Sequence, residues 1–210
     1  MDELIVPTAY GEAEYVDRKS RFIGHIWRTD TEEEALERIR AMREQYWDAR
    51  HNVYAYIIAD GPTRYSDDSE PQGTAGMPVL DVLRREEIFN VTCVVTRYFG
   101  GVLLGTGGLV RAYSKSAKLA LDAAGISILR TWDCLKLDCP YRLYEPILAA
   151  LDPFEAVTEQ TDFGAEVTLT LLVPQSRTDA LTARLTDLSG GQLRPERLAP
   201  INRAVPAKSS

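Results

Sequence analysis

Gly100, Gly101, Gly105, Gly107 and Gly108 place five glycines within nine residues, and three cations, Arg97, Arg111 and Lys115, flank them. Glycine loses more conformational freedom on folding than any other residue, so a cluster of this kind points to positive φ angles or to a close approach of something to the backbone. The segment lies between a strand-like run and a helix-like run, where backbone N–H groups at a helix start can face an anion. Arginine and lysine beside them would add charge-assisted hydrogen bonds. The chemistry is recognition of a phosphate-bearing ligand. Gly100, Gly101, Gly105, Thr106, Gly107 and Gly108 would supply backbone and hydroxyl groups, and Arg97, Arg111 and Lys115 would supply charge. Arg111 and Lys115 stand four apart and so share one helix face. Positive φ is expected at Gly105 and Gly107, where a β-branched residue would be costly.

Standard nucleotide loops do not fit this pattern. Gly100 and Gly105 have the G-x-x-x-x-G spacing of a Walker loop, but Thr106 stands where that motif needs lysine. Val110 replaces the third glycine of the dinucleotide fingerprint. No catalytic residue and no cofactor are assigned. Ser66 and Ser69 lack the setting of a nucleophile elbow. His25 and His51, the two histidines of the chain, read as structural side chains.

A second segment, DDSEPQGTAGMP (Asp67 to Pro78), carries acids in place of cations. Asp67, Asp68 and Glu70 lack the ligand spacing of a calcium loop, and no metal is assigned to them. Acids beside an anion site must be paired if they are not to repel the ligand. At least one of the three is therefore expected to bond Arg97, Lys19, Arg21 or the backbone of the glycine loop. Gln72, Thr74 and His51 complete the set that would organise this loop.

Two domains would hold these segments. The chain has 210 residues, 45% hydrophobic and 26% charged, which is ordinary for a globular protein. No apolar run reaches the roughly 18–20 residues of a membrane span. The acidic N-terminus lacks the features of a secretory signal. Three cysteines make no disulfide framework, so a reduced, cytoplasmic setting is expected. A net charge of −7 argues against indiscriminate nucleic-acid binding. Yet the segment from Ile88 to Arg130 holds five cations to the one acid Asp122.

Gly11 to Val16 and Ser20 to Trp27 read as paired strands, followed by a helix opened by a Thr31/Glu34 capping box with Ala35, Leu36, Ile39 and Met42 inward. Asn52 to Ala59 is a strand, and the stretch from there to Met77 shows no periodicity. A short helix from Pro78 precedes Phe89 to Phe99, an apolar run that reads as a central strand buried on both faces. The helix after the glycine loop carries Val110, Tyr113, Ala117, Leu121 and Ala124 along one side and stops at Gly125. From Thr131 the pattern restarts as β-α-β-β-α-β, the order of a ferredoxin-like fold, with Pro146 expected to kink or delay its first helix. The expected domains are 1–130 and 131–205, in an α+β class.

KSRFI (Lys19 to Ile23), RHNVYAY (Arg50 to Tyr56), DDSEPQGTAGMP and VVTRYFGGVLLGTGGLVRAYSKSA together resemble the diagnostic blocks of the IMPACT/YigZ family. The resemblance covers about residues 1–130, and the remainder is similar to the C-terminal extension of the bacterial members. It implies an N-terminal α/β domain similar to the second domain of a small-subunit ribosomal protein. It implies a C-terminal domain like the ferredoxin-like last domain of elongation factor G. Eukaryotic members regulate translation under amino-acid starvation by binding a partner of a starvation-sensing kinase. What carries across is the fold and a link to translation: a non-enzymatic binding protein for RNA or the ribosome, or for a protein partner in translation control. Two other readings stay open, a small-molecule or nucleotide enzyme (phosphotransferase or hydrolase) using the same glycine loop and a protein-interaction adaptor.

Overall fold

The structure, a computed structural model, describes residues 3–206. It divides into two compact units, one built on Leu4–Ile128 and one on Leu129–Arg203. Among the described residues no helix is long and apolar enough to cross a membrane.

The first unit is a five-stranded antiparallel sheet with helices on both faces. Its strands are β2 (Gly11–Asp17), β3 (Ser20–Arg28), β4 (His51–Ile57), β5 (Thr63–Ser66) and β6 (Val91–Tyr98), in the order β2-β3-β6-β4-β5. A short strand, β1 (Leu4–Pro7), precedes them and bridges Ile5 to Ile88. Arg18 (φ 44°) and Lys19 (φ 68°) turn β2 into β3, a two-residue loop with both φ angles positive as hairpin twist requires.

Alternation along the strands sorts the core. Val53, Ala55 and Ile57 of β4 and Val91, Cys93 and Val95 of β6 pack beneath the helices α2 (Gly76–Arg85) and α3 (Thr106–Ala124). Tyr56 and Val94 point the other way, onto α1 (Glu32–Gln45). The middle strand is thus buried on both faces, and each such aliphatic side chain contributes about 1.5–3 kcal/mol through burial.

Several sequence expectations shift here. Thr31 caps α1 by accepting from the Glu34 N–H at 3.2 Å, but Leu36 is exposed, because Ala35, Ile39 and Met42 already fill the contact with the sheet. The aperiodic stretch contains β5, and α2 begins at Gly76, two residues before Pro78. Val110 is exposed as well. The buried stripe of α3 runs through Leu109, Ala112, Tyr113, Ser116, Ala117 and Ala120.

In the second unit β7 (Ile126–Cys139), β8 (Val157–Phe163), β9 (Val167–Pro174) and β10 (Glu196–Pro206) pair in the order β10-β7-β9-β8. The helices α4 (Tyr141–Leu151) and α5 (Thr178–Leu188) close the β-α-β-β-α-β pattern. Leu135, Leu137 and Cys139 on β7 meet Leu143, Ile147 and Leu151 on α4, and α4 continues through Pro146. β7 starts at Ile126, before the expected restart at Thr131.

Candidate functional site

The β4–β6 ladder sets His51 opposite Arg97. Beyond this strand end the chain must turn from β6 into α3, and Gly100 and Gly105 make the turn possible. A Cβ on Gly100 would lie 2.0 Å from the Lys19 carbonyl carbon, so only glycine fits there. Its N–H donates to Ser20 Oγ at 3.1 Å, pinning the loop to the β2–β3 turn. Gly105 has φ +75°, left-handed backbone that a side chain would strain, and its carbonyl accepts the first helical bond, from Leu109 N–H at 2.9 Å. Gly107, in contrast, sits inside α3 without positive φ and faces open space, so the expectation of positive φ there fails. Gly101 is left-handed at φ +84°, and Gly108 is buried in the first turns of α3.

The acidic segment meets this turn from the other side, and each acid has a separate task. Asp67 accepts from the N–H groups of Gly73 (2.8 Å), Ala75 (3.0 Å) and Gly76 (2.8 Å), placing a carboxylate on the N-terminus of α2. Asp68 accepts from Asn52 N–H at 2.6 Å and pairs with Arg43 at 3.4 Å. Glu70 is buried, with Oε1 accepting from Arg97 Nη1 at 2.5 Å and from the Tyr113 hydroxyl at 2.7 Å. Burial, with the Glu70 charge beside it, pushes the Tyr113 hydroxyl well above the usual phenol range and keeps it a donor. Thr74 closes its own turn by donating to Pro71 O at 2.6 Å, and Gln72 is exposed. Arg21 instead pairs with Glu14 at 2.7 Å, and Lys19 serves in the β2–β3 turn.

Between the two segments lies a cavity of about 640 Å³ lined by Arg50, His51, Ser69, Glu70, Pro71, Arg97, Phe99, Leu103, Leu104, Gly105, Thr106 and Leu109. Arg97 is 5% exposed, lies against the rings of Phe22 and Phe99, and keeps a buried Nε–H with no partner among the described residues. His51 Nδ1 stands 2.7 Å from Asp68 O, so the proton sits on Nδ1, and Nε2 is directed toward Glu70 at 3.9 Å. Arg50 and the apolar wall of Phe99, Leu103 and Leu104 were not singled out from sequence. Arg50 could have been, as a cation next to His51.

The helix starts differ in charge. In α1, Glu32, Glu33 and Glu34 occupy the first turn, and α2 has the Asp67 carboxylate. In α3 no side chain caps the N-terminus and no acid stands in the first turn. Its positive end opens on the cavity through Gly105 and Thr106, with no capping side chain among the described residues.

Arg111 and Lys115 are not in this cavity. They line a separate recess with Arg85 and Lys118, on the other side of α3.

Comparison with known proteins fits this architecture. The Impact N-terminal domain matches residues 18–121 and a domain of unknown function, DUF1949, matches residues 137–192. The chain is 36% identical over 184 residues to the IMPACT family member YvyE of Bacillus subtilis, covering 87% of this chain and 85% of that protein. The chain belongs to the IMPACT family. It is also 34% identical over 198 residues to the family member YigZ of Escherichia coli, covering 92% of this chain and 97% of that one. Protein IMPACT of Rattus norvegicus matches at 32% over 108 residues, 49% of this chain and 34% of the rat protein. A solved crystal structure of a hypothetical protein, 33% identical, superposes with a TM-score of 0.60 over 95% of this chain and 98% of that one. The segments that form the cavity, from Arg50 to Leu109, fall within the span matched by the Impact N-terminal domain. In this IMPACT family member three of the four blocks, those at Arg50 to Tyr56, Asp67 to Pro78 and Val94 to Ala117, therefore meet around one cavity.

Proposed function

We propose that this IMPACT family protein is a non-enzymatic, translation-linked binding protein whose cleft takes a phosphate-bearing group of RNA. The observation that carries this reading is the bare N-terminus of α3, which opens on a cavity also lined by Arg97 with its unpartnered Nε–H. A phosphate there would accept from backbone N–H groups of the first turn and from Arg97, while Arg50 adds charge at the rim. Phe99, Leu103 and Leu104 offer apolar surface against which the nucleoside would rest. The Glu70–Arg97–Tyr113 cluster holds the floor of the cleft and leaves no unpaired carboxylate facing the anion.

Cosedimentation with ribosomes tests this reading. Thr106→Glu puts a carboxylate at the first position of α3, where the helix dipole tolerates it, and fills the place of the anion. The wild type is expected to pellet with ribosomes and Thr106→Glu to stay in the supernatant. Equal pelleting of both, or of neither, removes the cleft as the binding site.

One observation supports the enzymatic alternative. His51 has its Nδ1 fixed by a backbone carbonyl and its Nε2 beside the cleft, the orientation of a proton acceptor. Stabilisation by one nucleoside triphosphate with Mg²⁺ in a thermal-shift series, with turnover lost in His51→Gln, would favour it.

A further inference from the structure

The recess between α2 and α3 has no part in the cleft. It encloses about 500 Å³ and is walled by Arg85, Arg111, Lys115 and Lys118, with Glu86 the one carboxylate in its lining. Lys118 is already engaged, 3.1 Å from Glu86 and 2.9 Å from Asp122. Arg85 gives its Nε–H to the Asp81 carbonyl at 3.1 Å. Arg111 and Lys115 are exposed and have no carboxylate partner among the described residues. On a chain of net charge −7, three cations without a carboxylate in one recess are an uncompensated positive site.

We infer that this recess binds the phosphodiester backbone of a single-stranded RNA, separately from the cleft. Arg111 and Lys115 lie at i and i+4 on one side of α3, a step of about 6 Å along the axis, and Arg85 of α2 lines the same recess. These cations can meet consecutive phosphates as point contacts, with Ser114 in the same lining. An acidic amphipathic helix is the other polyanion such a surface could meet. It would need apolar anchors at i, i+3 and i+7, and the recess offers only Val82 and Val110. A strand of phosphates needs spaced cations and no apolar floor. The inference does not require the cleft to be occupied.

Binding of a labelled 15-nucleotide RNA without a terminal phosphate, followed by anisotropy across salt concentrations, tests it on the full chain. Each cation that meets a phosphate on a single strand steepens the log–log salt slope by about 0.7. Arg111→Gln/Lys115→Gln is therefore expected to flatten the slope by about 1.4 and to weaken binding about twenty-fold at 0.1 M salt. Both side chains are exposed, so melting temperature serves as the control for folding. An unchanged affinity and slope in the double variant overturns the inference. So does a wild type that fails to bind RNA, or one from which polyglutamate of equal charge displaces RNA as well as RNA itself does. Loss of binding in Thr106→Glu alone points to the cleft and refutes the recess. Loss in the double variant with Thr106→Glu unchanged supports the recess and leaves the cleft to its own test with ribosomes.

Discussion

Glu70 and Arg97 form a buried ion pair with Oε1 and Nη1 2.5 Å apart and side chains 4% and 6% exposed. The pair joins the acidic loop to the end of β6, and the Tyr113 hydroxyl on α3 bonds the same oxygen. Three chain segments thus meet at one carboxylate atom. Such a pair costs desolvation on both sides, and its worth lies in the positions it holds.

Removing one partner should be severe. Glu70→Ala leaves the Arg97 charge buried with only the long bond to Ser20 Oγ at 3.5 Å and no counter-charge, and takes away the acceptor of the Tyr113 hydroxyl. A loss of about 3–5 kcal/mol in urea unfolding is expected. A loss below 1 kcal/mol would mean that water reaches Arg97 freely.

Gly105 and Gly107 should respond in opposite directions. Gly105→Ala places a side chain at φ +75° and is expected to cost about 1–2 kcal/mol. Gly107→Ala, in the first turn of α3 and facing open space, is expected to stabilise by up to about 1 kcal/mol. Thermal denaturation of the two variants beside the wild type distinguishes them.

His25 gives the fold an acid sensitivity. The Tyr10 hydroxyl donates to Glu12 at 2.5 Å and therefore accepts from His25 Nδ1 at 2.8 Å, which leaves Nε2 buried and without a partner among the described residues. Burial holds this imidazole below its ordinary value, outweighing the opposing pull of the Glu12 charge. The unfolded chain takes up a proton near the usual histidine pKa of about 6.5, and the folded chain does so only at lower pH. Stability should then fall as pH drops below about 6.5 and be unaffected by His25 above about 7.5. His25→Gln removes this titration, so the stability difference between variant and wild type should change between pH 7.5 and 5.5. A constant difference would show that the histidine titrates alike in both states.

Much of this was legible in the chain. The continuous apolar run of β6 and the Thr31 cap are local signals, and local signals read well. The β-α-β-β-α-β order of the second unit was equally plain from its periodicity. Other features depend on tertiary contacts. β5 is a four-residue strand, Thr63–Ser66, too short and polar to show a period. The spacing of Arg111 and Lys115 put them on one face without saying which face. That choice was made by Leu109, Ala112, Tyr113 and Ser116, which turn toward the sheet and carry the two cations away from the cleft. The tasks of Asp67, Asp68 and Glu70 could not be separated by sequence, because each depends on a donor brought from another element. Tyr113 read as core, and its hydroxyl bond to Glu70 had no signal in the spacing.

The proposed cleft sets a phosphate on the N-terminus of α3. Titrating the ¹⁵N-labelled protein with a 5′-phosphorylated dinucleotide tests it residue by residue. The largest amide shifts are expected at Thr106, Gly107 and Gly108, together with a shift of the Arg97 Nε–H signal, and all should vanish in Thr106→Glu. Shifts confined to other residues, or no shifts at millimolar ligand, would mean that this helix end holds no phosphate.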